Sequence, residues 1–328
     1  MLPDGKIEDY AVGYADVEAK KANSPDYKLL SGSIGKTYAA AIIFQLLDEG
    51  KIKLEDKILD YFPDLPWLKR LPNIQELTIE LLLQHRTGLP RWVLKEEVWK
   101  KLSENPDKVW TYEDRFSYVF DEEPVHKAGE GWAYSDTNYL LLGMLIEKVL
   151  EGEYYEILEN RILKPFQLNK TLASNQRKIT NLSSGYSELP PQFYIPKKVS
   201  ENGVYHFNPQ VEWTGGGLAS TTHDLARWAK LYFEAQVFSP ETLEKVIQIN
   251  PNGSMIGGRD SYGMASFIYH SKYGDAYGHS GFMPGFVSQM MYFPQYKIAL
   301  ALQFNADFAA NDLNLLAYIE EIFPLIKK

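Results

Sequence analysis

The chain has 328 residues, of which 45% are hydrophobic and 23% charged, with a net charge of −9 at neutral pH. This is an ordinary globular composition, long enough for one large or two medium domains. The acidic balance, without a basic run, excludes a general nucleic-acid binder, since phosphate neutralisation needs clustered Lys and Arg. Zero cysteines exclude disulfides, thiolate catalysis and Cys-ligated zinc.

Residues 5–15 read as a strand or hairpin around a Pro3-Asp4-Gly5 turn. Residues 33–49 predict a helix that is apolar nearly all round, hence buried, and stopped by Gly50. Its apolar run, residues 39–47, is too short to span a bilayer. The N-terminus shows no basic region followed by an apolar one, so no signal peptide is expected in the chain as given. Residues 78–85 and 137–151 predict further helices. Between them lies an aromatic stretch that includes Trp92, Trp99 and Trp110, and residues 181–211 read as loop. A glycine-rich turn at 215–217 precedes a helix for which Thr222 is the expected N-cap. Residues 262–270, 275–281, 286–294 and 297–305 are short, turn-bounded and rich in aromatic and β-branched residues, as consecutive antiparallel strands are. Residues 311–328 predict a terminal amphipathic helix. Strands at both ends of a helical middle imply an α/β sheet domain, residues 1–30 plus 205–328, interrupted by a mainly helical domain, residues 31–204. The active site is expected at their junction.

The stretch LLSGSIGKTY, residues 29–38, admits two chemistries. A phosphate-binding loop is G-x-x-x-x-G-K-[ST], which would need glycine where Leu30 stands, so the nucleotide reading fails. The other reading is S-x-x-K. Residues i and i+3 share a helix face, which places the Lys36 amine against the Ser33 hydroxyl. A serine at a helix N-terminus also gains from the dipole, which favours a developing alkoxide. For Lys36 to accept a proton it must be partly neutral, and burial lowers a lysine pKa.

Alone, S-x-x-K occurs often by chance. Here it is followed by Tyr134-Ser135-Asp136 before an apolar helix, and by His279-Ser280-Gly281 on an expected strand. In order and spacing these resemble the second and third motifs of the serine β-lactamase and penicillin-binding-protein superfamily. The stretches LLLQHRTGLP (81–90) and GGGLASTTHDLARW (215–228) resemble it too. The chain is identified as similar to class C β-lactamase-like serine hydrolases, over roughly residues 5–305.

The resemblance implies a β-lactamase/transpeptidase-like fold: an antiparallel sheet flanked by helices, with an inserted helical domain. It implies an acyl-enzyme hydrolase of the esterase or D-peptidase branch, acting on small ester, amide or peptide substrates. No cofactor, metal, nucleic acid or membrane span is expected, and an extracytoplasmic setting is favoured. Ser33 would be the nucleophile. Lys36 would be its proton acceptor, or would tune Tyr134, whose phenol it would acidify. Asp136 would order Lys36 by an ion pair that holds the ammonium charged, or would cap the following helix. His279 would orient Tyr134 or the substrate, and Ser280 would line the strand beside it. Gly281 would leave the strand edge bare for substrate, and the backbone N–H groups of Ser33 and Phe282 would form the oxyanion hole. His85 reads as core or pocket wall.

Two departures from the family pattern matter. Asp136 stands where an asparagine is usual, and His279 where a lysine is usual. An ionised carboxylate only accepts hydrogen bonds, and an imidazole is cationic only below its pKa, ordinarily about 6.5. Both changes favour esters or peptides over β-lactams. The alternative reading is a catalytically idle peptide-binding module.

Overall fold

The computed structural model describes residues 1–254, 260–307 and 314–326. Its strands are β1 (Tyr14–Asp16), β2 (Lys21–Ala22), β3 (Leu29–Leu30), β4 (Leu172–Ala173), β5 (Ser200–Glu201), β6 (Val204–Tyr205), β7 (Leu218–Ser220), β8 (Ser261–Tyr262), β9 (Phe267–Ser271), β10 (Gly274–Met283), β11 (Phe286–Phe293) and β12 (Ile298–Phe304). Its α-helices are α1 (Gly35–Asp48), α2 (Ile79–Leu83), α3 (Glu96–Glu104), α4 (Tyr112–Phe116), α5 (Thr137–Leu150), α6 (Tyr154–Leu158), α7 (Thr222–Phe233), α8 (Pro240–Ile247) and α9 (Leu315–Ile326).

The main sheet runs β12-β11-β10-β9-β8, antiparallel throughout. β11 is buried along its whole length, with Ser288 and Gln289 the polar residues among its apolar ones. Its side chains still divide by parity. Met290 and Tyr292 join the large core, while Met291 and Phe293 join a second cluster closed by Ile319 and Phe323 of α9. Phe323 packs 4.2 Å from Phe293. A second sheet, β3-β7-β4, ties the start of α1 to the segment before α7.

Helix α1 is buried on nearly every side, as its composition requires. It packs against α5, and Tyr38 stacks on Trp228 of α7 at 4.2 Å. The turn that leads into α1 packs against β10, so α1 starts between the main sheet and α5.

Three expectations are corrected. Residues 5–13 form no strand: the Pro3-Asp4-Gly5 turn closes through a Gly5 N–H to Leu2 carbonyl bond, and pairing begins only at Tyr14, with β2. The N-cap of α7 is Thr221, whose side chain accepts from the Asp224 N–H at 3.4 Å; Thr222 is already helical. Residues 181–211 are not wholly loop, because β5 and β6 form a small hairpin there. Of the expected terminal helix, residues 311–313 and 327–328 lie outside the described residues.

Among the described residues, no helix is long and apolar enough to cross a membrane. A groove of about 470 Å³ lies between the N-terminal segment and β12, and none of Ser33, Lys36, Tyr134, Asp136 or His279 lines it.

Candidate active site

Ser33 lies in a single 3-10 turn, Gly32–Ile34, that runs directly into α1. Gly32 has φ +52°, and a Cβ there would lie 2.5 Å from the Phe282 backbone nitrogen. Glycine is required on both counts. Phe282 belongs to strand β10, and the residue before it presses on the same turn: a Cβ on Gly281 would collide with the Ser31 carbonyl. The missing side chain of Gly281 thus lets the strand dock against the nucleophile turn, a different use from leaving an edge bare for substrate. Gly281→Ala should destabilise the protein by about 1–3 kcal/mol through overpacking. Thermal unfolding checks this; an unchanged Tm would show that the strand can retreat freely.

Lys36 follows one turn later with its side chain wholly buried. Its ammonium makes three bonds, to Ser33 Oγ at 3.0 Å, Asp136 Oδ1 at 2.8 Å and the Gly215 carbonyl at 2.7 Å. The second oxygen of Asp136 accepts from Arg91 Nε at 3.0 Å and Nη2 at 2.8 Å. Asp136 occupies the N-cap position of α5 yet caps nothing, because both of its oxygens are engaged by cations. Burial alone would lower the Lys36 pKa, but Asp136, with Tyr134 and Glu212, outweighs it and holds the ammonium above the ordinary lysine value. Of the two alternatives for Lys36, the ammonium held charged by Asp136 is the one present, and the partly neutral lysine is not. Burial alone would raise Asp136, and Lys36 and Arg91 together hold it well below the usual carboxylate range.

Tyr134 stacks on His85 at 4.2 Å between ring centroids. Its hydroxyl is buried near enough to Ser33 to be acidified slightly by it, but makes no hydrogen bond of normal geometry in this resting state. Burial raises the phenol pKa and outweighs the opposing pull of Lys36, so the expected acidification does not occur. His85 Nδ1 accepts from the Ser135 N–H at 3.2 Å and lies 3.0 Å from Asn138 Nδ2. That fixes the proton on Nε2 and pins the turn carrying Tyr134.

His279 is buried, and its pKa is pushed down to about 3, chiefly by desolvation. Nδ1 lies 2.6 Å from the Ser280 carbonyl, so the neutral ring carries its proton there and turns a bare acceptor, Nε2, inward. It supplies no positive charge at physiological pH. Ser33, Tyr134, Phe267, His279, Ser280, Gly281 and Phe282 enclose a cleft of about 200 Å³. The structure therefore brings together the three motifs that the sequence separates by a hundred residues and more.

Sequence reasoning missed two charged groups beside them. Arg91, just after the LLLQHRTGLP stretch, is the second cation on Asp136. Glu212 lies with Oε2 against Gly216, and burial pushes its pKa up to about 7 despite Lys36, Arg91 and Arg115. Neither stands in a recognisable spacing, and only the fold brings them in.

A half-buried serine bonded to a buried lysine at a helix N-terminus, beside a tyrosine and an antiparallel strand, is an arrangement of β-lactamase/transpeptidase architecture. The family model described as Beta-lactamase matches residues 2–321, and the chain belongs to that family. It is 25% identical over 303 residues to penicillin-binding protein 4* of Bacillus subtilis, covering 89% of this chain but only 63% of that one. The chain thus spans less than two-thirds of that relative. Among solved structures it is similar to a D-stereospecific amidohydrolase from Streptomyces sp., with TM-score 0.76, 26% identity and coverage of 88% and 84%. It also shares its fold with the D-amino acid amidase of Ochrobactrum anthropi, with TM-score 0.84, 24% identity and coverage of 100% and 92%.

Proposed function

We propose that the protein hydrolyses small amides or esters through a covalent acyl-enzyme on Ser33. The observation that carries this is the 3.0 Å bond between Ser33 Oγ and the buried Lys36 ammonium, with the Tyr134 hydroxyl beside them. Ser33 Oγ attacks the substrate carbonyl carbon. Its proton passes into the Lys36–Tyr134 pair and then to the departing amine or alcohol. The backbone N–H groups of Ser33 and Phe282 receive the oxyanion. Water then attacks the acyl carbon, the same pair returns the proton to Ser33, and the acid is released. The junction of the proposed sheet domain, residues 1–30 plus 205–328, with the proposed helical domain, residues 31–204, holds this chemistry. The Streptomyces relative, an amidohydrolase with D-stereospecificity, supports amides with a D-configured acyl group as the first substrates to test.

β-Lactams should be poor substrates. A penicillin brings a carboxylate to the strand that carries His279, and the neutral imidazole there supplies no positive charge to meet it. The charge-assisted contact that is absent there is worth roughly 1.5–3 kcal/mol, one to two decades in rate. Intact mass spectrometry tests both parts. A fluorophosphonate should add once, at Ser33, and benzylpenicillin should add slowly or not at all. No fluorophosphonate adduct would overturn the hydrolase mechanism. Rapid penicillin turnover would overturn the substrate preference.

A further inference from the structure

Among the described residues, none that lines the cleft beside Ser33 is charged at neutral pH. The polar groups of the cleft are hydroxyls and the His279 ring, which desolvation keeps neutral. Two half-buried phenylalanines, Phe267 and Phe282, form part of its wall. Phe282 follows Gly281 on β10, and its backbone N–H is assigned to the oxyanion. Phe267 has no such duty and stands outside all three motifs. It lies on β9, where it pairs with Gly278, the residue before His279. Its ring meets the His279 ring edge-on at 5.2 Å, and its plane runs within 17° of the Tyr134 ring at 6.5 Å. The buried Tyr262 ring packs edge-on against it at 4.8 Å.

The atom that departs must take a proton as its bond to the acyl carbon breaks, and in the proposed chemistry the Lys36–Tyr134 pair supplies it. The substituent on that atom therefore projects to the side of the cleft that Tyr134 and Phe267 form. We propose that Phe267 sets the leaving-group specificity of this site: it selects a neutral apolar or aromatic amine or alcohol and rejects one that carries a carboxylate. The reading rests on Ser33 being the acylated residue. A ring that enters gains an edge-to-face or offset contact with Phe267. A carboxylate that enters loses its water against phenyl rings and meets no cation among the lining residues. Lys36 is no substitute, because its ammonium is fully buried and its three bonds go to Ser33, Asp136 and Gly215. The wall thus favours the amide of a simple amine, or the ester of a neutral alcohol. It disfavours a peptide bond whose released amino acid carries its free carboxylate beside the bond that breaks.

The test compares meta-acetoxybenzoate with its methyl carboxylate ester. Both give the same acetyl-enzyme, and they differ by one charge on the departing phenol. Each kcat/KM is divided by that compound's own alkaline hydrolysis rate, which removes the difference in intrinsic reactivity. On that scale wild-type protein should prefer the neutral compound by about 10- to 100-fold, the worth of one charge-assisted contact. Phe267→Lys puts an ammonium on the same wall, and should bring the two within about threefold of each other or reverse their order by raising turnover of the carboxylate. Phe267→Leu keeps the wall apolar and serves if the lysine variant does not fold. Its preference for the neutral compound should persist, while turnover of that compound should fall about 2- to 10-fold relative to trifluoroethyl acetate, the worth of an aromatic pair. A wild-type preference below about threefold overturns the proposal, as does a folded Phe267→Lys variant that keeps the wild-type ratio. An equal loss by Phe267→Leu on the aryl and the alkyl acetate means that the ring only supports the strand, and also overturns it. Absence of turnover of either acetoxybenzoate by wild-type protein would count against the Ser33 mechanism itself.

Discussion

Ser33→Ala should abolish turnover of activated esters and amides and leave the fold unchanged. Removing a nucleophile in a serine hydrolase costs up to the order of 10⁶ in kcat, because the residual rate comes only from binding and the oxyanion site. Little stability should be lost. The Ser33 hydroxyl is bonded to Lys36, which keeps Asp136 and the Gly215 carbonyl after the change. Loss of one exposed-side hydrogen bond amounts to about 0.5–1.5 kcal/mol. Hydrolysis of p-nitrophenyl acetate, with thermal unfolding alongside, reads both effects. Activity near wild type would place the nucleophile elsewhere. A large fall in Tm would mean that the hydroxyl is a structural support.

How much of this site is visible in the sequence depends on how each residue finds its place. Ser33 and Lys36 share one helix turn, so their contact follows from helical geometry alone. Tyr134 and His279 are legible only as short motifs in order, and their burial is not. That burial reverses the expected electrostatics. The tyrosine becomes less acidic and the histidine loses its charge range, whereas the buried lysine stays charged only because Asp136, a hundred residues away, outweighs its desolvation. Desolvation depends on what the fold packs around a group, which local sequence does not encode. The same limit applies to Arg91, which reaches Asp136 across 45 residues of chain. Thr221 and Thr222 show a smaller version: two adjacent hydroxyl residues both make acceptable caps, and β7 pairing through Ser220 decides which one ends the strand. At the N-terminus, the Pro3-Asp4-Gly5 turn is legible. Whether the segment after it finds a strand partner is a tertiary matter, and pairing starts at Tyr14 instead.

Tyr134→Phe should come close to the loss seen without the nucleophile, a fall of about 10²–10⁴ in kcat/KM as expected for a general acid–base group. Lys36 donates to Ser33 in the resting state and is held above its ordinary pKa, so it has no lone pair to offer. The Tyr134 phenol is also protonated, since burial raises it. Whichever group accepts the serine proton must first lose its own. Activity should therefore rise as pH increases, with an ascending limb on the alkaline side of neutrality. Asp136 raises both pKa values, so Asp136→Asn should move that limb to lower pH. His279 adds the opposite constraint on stability. Its folded pKa of about 3 lies below the unfolded value of about 6.5. The stability it contributes is complete above pH 6.5 and is lost progressively as pH falls toward 3. The limb and the acid loss are thus separable, one read by kcat/KM above neutrality and the other by unfolding below it. The phenylalanine variant decides between the two bases. It removes one oxygen from a ring stacked on His85 and leaves Lys36 with all three of its partners. If Tyr134 relays the proton, the alkaline limb should collapse in this variant. A phenylalanine enzyme within about tenfold of wild type, with the limb intact, would assign proton transfer to Lys36 alone.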